Sequence, residues 1–233
     1  MNRGDRRELI FMDDADRQRF VDTQGEVCAN VLMPNHIHVV VETPQPNLVA
    51  GMKWLLGTYT RRFNRRHKLF GHLFSGRYKS LIVDGSGNGY LKSVGDYVHL
   101  NPARAKLVVA DAPLKNVTWS SWPAYLLAHS KRPAWLRADR LLGWWGIPED
   151  SPVGRQRLER SLAEFIIAEE LKLGRRQEAD LKTRPKGDSV KVALAARLRA
   201  ETTMTARWIA ERLAMGTRGY LNHLLYRRRK LGE

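Results

Sequence analysis

Two histidines one residue apart, His36 and His38, follow a Met-Pro-Asn turn and open a run of β-branched residues. In a strand, residues i and i+2 point to one face. Two imidazoles placed this way, a few ångströms apart, can grip one divalent cation; the alternative is a pair of ordinary strand residues. Tyr97 lies in DYVHLNPARAKLV (96–108), four residues before Asn101. That spacing puts both side chains on one helix face. A phenol oxygen can attack phosphorus, and an amide oxygen one turn later can serve as a third ligand. The alternative for Tyr97 is a core position.

The charge pattern says what such a site would act on. The 233 residues carry 40 Lys and Arg against 24 Asp and Glu, a net charge of +16. Residues 51–80 hold +8 of it without one acidic residue, and residues 187–233 hold +6. An excess of this size repels itself unless a polyanion relieves it, which points to nucleic acid or an anionic membrane. The single cysteine excludes a disulfide framework and a cysteine-based zinc site. There is no 18-residue apolar run, and the opening MNRGDRRELI has no apolar core of a secretory signal. The expected compartment is the cytoplasm, and no membrane association is expected.

The surrounding pattern predicts the elements that position these groups. Asp13 and Asp14 cap a helix running to about Glu26, with Phe20 and Val21 inward. Residues 27–33 and 37–43 read as a β-hairpin around Pro34-Asn35. Asn47 caps a helix to about His67, with Leu48, Met52, Leu55, Leu56, Tyr59 and Phe63 at the 3.6-residue period. Its other face holds Lys53, Arg61, Arg62, Arg65 and Arg66. Residues 77–84 read as a strand, 85–89 as a loop, and about 88–100 as a helix that Pro102 stops or kinks. The order is helix, strand, strand, helix, strand, helix. It predicts an α+β sandwich, an antiparallel sheet with helices on one face. Five tryptophans at 119, 122, 135, 144 and 145 predict a packed wrap around this first domain, or else a base-stacking surface.

The segments PNHIHVVVE, the basic helix after it, GHLFSGRYKSLIVD and YVHLNPARA stand in this order over residues 1–127. Together they resemble the REP-associated tyrosine transposases, IS200-like members of the HUH single-strand endonuclease superfamily. The resemblance implies a ferredoxin-like core and one tyrosine nucleophile facing a His-x-His metal site. It matches His36 and His38 to the metal pair, Tyr97 to the nucleophile and Asn101 to the polar ligand, where related transposases use glutamine. It implies Mg²⁺ or Mn²⁺, a 5′-phosphotyrosine and a free 3′-OH, so that the broken bond's energy is kept for rejoining. In this frame Arg61, Arg62, Arg65, Arg66, Arg77 and Lys79 lie near the active face and contact the DNA backbone. The family's opening strand precedes an NRG-like stretch. With Met1-Asn2-Arg3-Gly4 at the start, that strand is expected to be missing.

Beyond this domain, taken as residues 1–150, an amphipathic helix over 154–173 and a polar linker over 174–187 are predicted (151–186 together). Residues 187–233 carry three helical stretches, about 188–200, 204–213 and 217–230. The last two resemble a helix-turn-helix whose second helix presents Arg218, Tyr220, Asn222 and His223 to duplex DNA. The alternative is a three-helix oligomerisation module. The expected function is therefore a metal-dependent transposase cutting and rejoining single-stranded or hairpin DNA, as a monomer or homodimer. The rivals are a catalytically silent DNA-binding regulator of the same descent and a plain metal-dependent hydrolase, which Tyr97 and the charge disfavour.

Overall fold

A computed structural model describes residues 1–83, 90–108 and 114–230. The chain is α+β and divides into two compact units. One comprises residues 1–102 and 118–146; the other comprises 103–117 and 147–233.

The first unit is built on a three-stranded antiparallel sheet of order β1-β3-β2, with β1 at Asn2–Arg3, β2 at Ala29–Met33 and β3 at His36–Val40. Strand β2 is buried along its whole length. Ala29, Val31 and Met33 on one face and Leu32 on the other are apolar, and Asn30 donates to Gln24 Oε1, so both faces are covered and the sheet is a middle layer. Helices α1 (Asp14–Gln24) and α2 (Leu48–His67) cover one face. There Phe20, Met52, Leu55, Tyr59 and Phe63 pack with Leu32, Ile37, Ile10 and Phe11. Helix α3 (Tyr90–Arg104) brings Tyr97 to the other face, against His38. The prediction of helices on one face only is thus corrected.

Several local readings shift as well. Asp13 caps α1 by accepting from the Asp16 amide, whereas Asn47 sits at the start of α2 without a side-chain cap bond. Helix α3 continues through Pro102 to Arg104. Near a helix C-terminus proline forfeits one amide bond and leaves little helix beyond it to disrupt. The predicted start of this helix at 88–89, the loop 85–89 and residue 84 lie outside the described residues. Residues 77–83, predicted as a strand, form none, although Lys79 bonds to Met1.

The Asn2-Arg3-Gly4 stretch, expected to follow the family's opening strand, itself supplies a short strand. Asn2 and Arg3 pair with Ile37 and His36 of β3. Their other edge bonds to residues 73–79: Ser75 N donates to Arg3 O, Asp5 N to Leu73 O, and Met1 and Lys79 exchange backbone bonds of 2.9 Å. The registers at Gly4–Phe74 and Met1–Lys79 differ by two residues, so this edge carries a bulge. Gly4 is required by close approach, since a Cβ there would stand 2.3 Å from the Glu8 carbonyl oxygen. At the far edge, residues 119–121 cover β2 through Leu32 N to Trp119 O and Ser121 N to Asn30 O. This is part of the predicted tryptophan wrap, which includes the short helices α4 (Trp122–Tyr125) and α5 (Ala138–Trp144).

In the second unit, Ser151 caps helix α6 (Pro152–Leu173), which buries Leu158, Leu162, Ile166 and Ile167. Helices α7 (Asp180–Thr183), α8 (Ser189–Glu201), α9 (Ala206–Arg212) and α10 (Arg218–Lys230) follow. The stretch predicted as a linker is packed. Leu181 is buried, Arg176 pairs with Asp188, and Glu178 pairs with Arg212. Arg197 of α8 pairs with Glu169 and Glu170 of α6, so α6 and the C-terminal helices share one unit. Among the described residues, no helix is long and apolar enough to cross a membrane.

Candidate active site

Strand alternation in β3 sends Ile37 into the helical core and His36 and His38 to the opposite face. The two imidazole centroids are 5.2 Å apart. The His38 and Tyr97 ring centroids are 5.7 Å apart, nearly edge to face. Tyr97 is 46% exposed, whereas its neighbours Asp96, Val98, His99 and Leu100 are buried. Helix α3 therefore anchors itself through the flanking residues and leaves the phenol at the surface beside the histidines.

The histidines are prepared as neutral donors. Asn35 Nδ2 donates to Arg7 O, which leaves its Oδ1 to accept from His36 Nδ1 at 2.7 Å. His36 Nε2 then carries the lone pair. Burial lowers the His36 pKa, with Arg3 adding to the effect. Burial and the charges of His36, the amino terminus and Arg3 lower that of His38 to about 4. Asn101 is buried, and its amide nitrogen donates to the Tyr97 carbonyl one turn back. Among the described residues no three His, Cys, Asp or Glu side chains come together as a metal cage. Two imidazoles, one with its tautomer set by a neighbouring amide, fit a partly open divalent site that takes its remaining ligands from an amide, water or substrate oxygens.

Arg3 is a residue that sequence reasoning missed. It pairs with His36 across β1 and β3. Directly opposed residues share a face, so its side chain stands on the histidine side. Its Nε is buried without a hydrogen-bond partner. A buried guanidinium nitrogen left unmatched is costly unless an anion completes it. The sequence signal was the NRG stretch itself, whose strand character depends on pairing with residues far away in the chain.

The predicted basic set divides. Helix α2 lies across the sheet from His36 and His38, so Arg61, Arg62, Arg65 and Arg66 do not line the Tyr97 face. Arg66 is held by Asp13 and buried Asp16, with Nη1 to oxygen distances of 2.7 and 2.6 Å. Its hydrogen bond holds the Asp13 carboxyl below the usual carboxylate range. Arg62 donates to Thr23 Oγ1. Arg61 and Arg65 are exposed, as are Arg77 and Lys79 in the segment beside β1. In the second unit Arg218, Tyr220, Asn222 and His223 are exposed on α10, while Leu221 between them is buried.

Residues 17–101 match the family model described as "Transposase IS200 like". The matched stretch contains α1, the hairpin with both histidines, α2, Tyr97 and Asn101. Over this stretch the chain is similar to IS200-like transposases. No curated protein and no solved structure matches the chain.

Proposed function

We propose that the protein is a REP-associated-type tyrosine transposase, a metal-dependent endonuclease and strand transferase acting on single-stranded, hairpin-associated DNA. The observation that carries this reading is the half-exposed Tyr97 phenol beside the His36–His38 pair, inside the segment that matches the family model. The sheet order, with residues 73–79 bonded outside β1, supports a ferredoxin-like plan for the first unit.

His36 and His38, with Asn101 as the third side chain, would hold Mg²⁺ or Mn²⁺. When bound, the cation neutralises charge on the substrate phosphate. The Tyr97 oxygen attacks the phosphorus, the bond to the 3′ oxygen breaks, and the DNA 5′ end is joined to the phenol oxygen. The phenol releases its proton and the departing oxygen takes one up as the 3′-OH. Arg3, on the same face, offers its guanidinium to a phosphate oxygen. Reversal by another 3′-OH rejoins the strand without an outside energy source.

In the second unit we assign α9 and α10 as a helix-turn-helix. The exposed face bearing Arg218, Tyr220, Asn222 and His223 meets duplex DNA, and the basic run 227–230 meets the backbone. A catalytically silent DNA-binding protein is the alternative; the Asn101 Nδ2 bond to the Tyr97 carbonyl does not favour it, because it leaves Asn101 Oδ1 open to a cation. Incubation with 5′-labelled and 3′-labelled hairpin oligonucleotides and Mn²⁺, followed by denaturing electrophoresis, separates the two. The enzyme retains the 3′ label on the protein and releases the 5′ label on the fragment ending in the 3′-OH; the silent binder retains neither.

A further inference from the structure

We propose that the C-terminal end of α2 and the turn after it form a second contact for single-stranded DNA, in which Phe70 stacks on one base while Arg61, Arg65 and Lys68 hold flanking phosphates. Phe70 is 97% exposed, although Leu73 and Phe74 a few residues later pack into or against the core. Its exposure is built in. Lys68 ends the helix in the left-handed region, with φ of 56°. Leu69 N donates to Asn64 O, and Asn64 Nδ2 donates to the carbonyl of Gly71. Both ends of the turn are thus tied back to one helix residue, and the ring between them is presented to solvent.

The surroundings select the occupant. Arg61, Asn64, Arg65, Lys68 and Leu69 border the same shallow groove as Phe70. No Asp or Glu occurs anywhere from residue 43 to residue 83. By contrast, Arg66 on the same helix has its charge consumed by Asp13 and Asp16. A cationic groove around an exposed aromatic ring matches a backbone with accessible bases, since stacking is indifferent to base identity and the cations follow phosphates. Duplex DNA hides its base faces. An apolar protein partner gains little from three uncompensated cations. The groove lies across the sheet from Tyr97, so this contact is distinct from the cleavage site and extends the tract of strand bound. It rests on the reading that DNA is the partner but does not require catalysis.

The test uses the full chain and a fluorescein-labelled dT20 strand, with affinity read by anisotropy across a salt series. Phe70→Ala is expected to weaken binding by about 5- to 100-fold with an unchanged melting temperature, because the ring touches little of the fold. Phe70→Trp is expected to bind within about twofold of the wild type. Arg61→Gln with Arg65→Gln is expected to lower the log–log salt slope by about 1.4, at about 0.7 per phosphate contact on a single strand. Equal affinity of Phe70→Ala and wild type for dT20 overturns the proposal and leaves the transposase reading standing. A changed sedimentation coefficient in Phe70→Ala at unchanged affinity also overturns it, because the occupant is then a second copy of the chain. Loss of affinity in Phe70→Ala by a protein that forms no covalent adduct upholds the contact and removes the catalytic reading.

Discussion

Replacing Lys191 with Met tests whether the second unit is held at the turn before α10. Lys191 is 1% exposed. Its Nζ donates to Leu181 O at 2.9 Å, Ala214 O at 3.0 Å and Arg184 O at 3.4 Å. One ammonium therefore ties the stretch around α7 to the turn between α9 and α10, where Ala214 takes a φ of 49°. Two effects oppose each other. Removing the charge relieves its burial, which already lowers the lysine's pKa. Methionine, however, leaves the carbonyls in place without a donor. Hydrogen bonds from a charged group are worth about 1.5–3 kcal/mol each, and orphaned carbonyls add their own cost. Two short bonds outweigh the relief, and the expected net loss is about 3 kcal/mol. For a unit of about 100 residues that corresponds to a melting point lower by roughly 12–24 °C. Calorimetry of the full chain reads it, together with weaker duplex binding as α10 loses its fixed approach. A loss under about 1 kcal/mol, with duplex affinity intact, would mean that the Lys191 ammonium does not hold this turn.

Four further outcomes are expected. Burial pulls the His99 pKa down to about 3, below the unfolded value of about 6.5. The unfolded chain then binds the extra proton, so stability is present above about pH 6.5 and is lost as pH falls toward 3; chemical denaturation of His99→Gln should show a slope shallower by up to about 1.4 kcal/mol per pH unit. Arg66→Ala strands buried Asp16 beside a weaker partner, His67, and should melt below both the wild type and Arg65→Ala, whose side chain is exposed. Arg3→Gln should keep strand binding within a fewfold and slow adduct formation by at least about tenfold; unchanged kinetics would leave Arg3 without a role at the phosphate. Arg218→Ala with Asn222→Ala should weaken duplex binding and, through the lost arginine, lower its log–log salt slope by about 0.9, while single-strand affinity holds.

The parts legible in the sequence are those set by local periodicity. The stripe Met52, Leu55, Tyr59 and Phe63 marks α2 because each member meets one core. The His-x-His spacing places two rings on one face because a strand alternates, whatever lies beside it. What escaped depends on partners distant in the chain. Asn2–Arg3 is too short to show a pattern of its own and is a strand through pairing with β3 and residues 73–79. The charge of Arg66 reads as free on the helix, yet Asp13 and Asp16, some fifty residues earlier, consume it. The polar composition of residues 174–187 suggests a linker, but one buried leucine and the Lys191 ammonium pin it down. Placement of α3 across the sheet from α1 and α2 follows from the burial of β2 on both faces, which its length and the polar Asn30 conceal.

Tyr97 is identified as the nucleophile by locating the covalent bond. Wild-type protein and Tyr97→Phe are incubated with a hairpin-bearing single strand and Mn²⁺, denatured, digested and analysed by mass spectrometry, with strand affinity measured in parallel. A nucleotide adduct is expected on the peptide containing Tyr97 in the wild type. No adduct is expected in Tyr97→Phe, with affinities within about twofold of each other, since binding draws on phosphate contacts and the hydroxyl serves the reaction. An adduct on another residue, or equal adduct yield from Tyr97→Phe, would mean that Tyr97 is not the nucleophile.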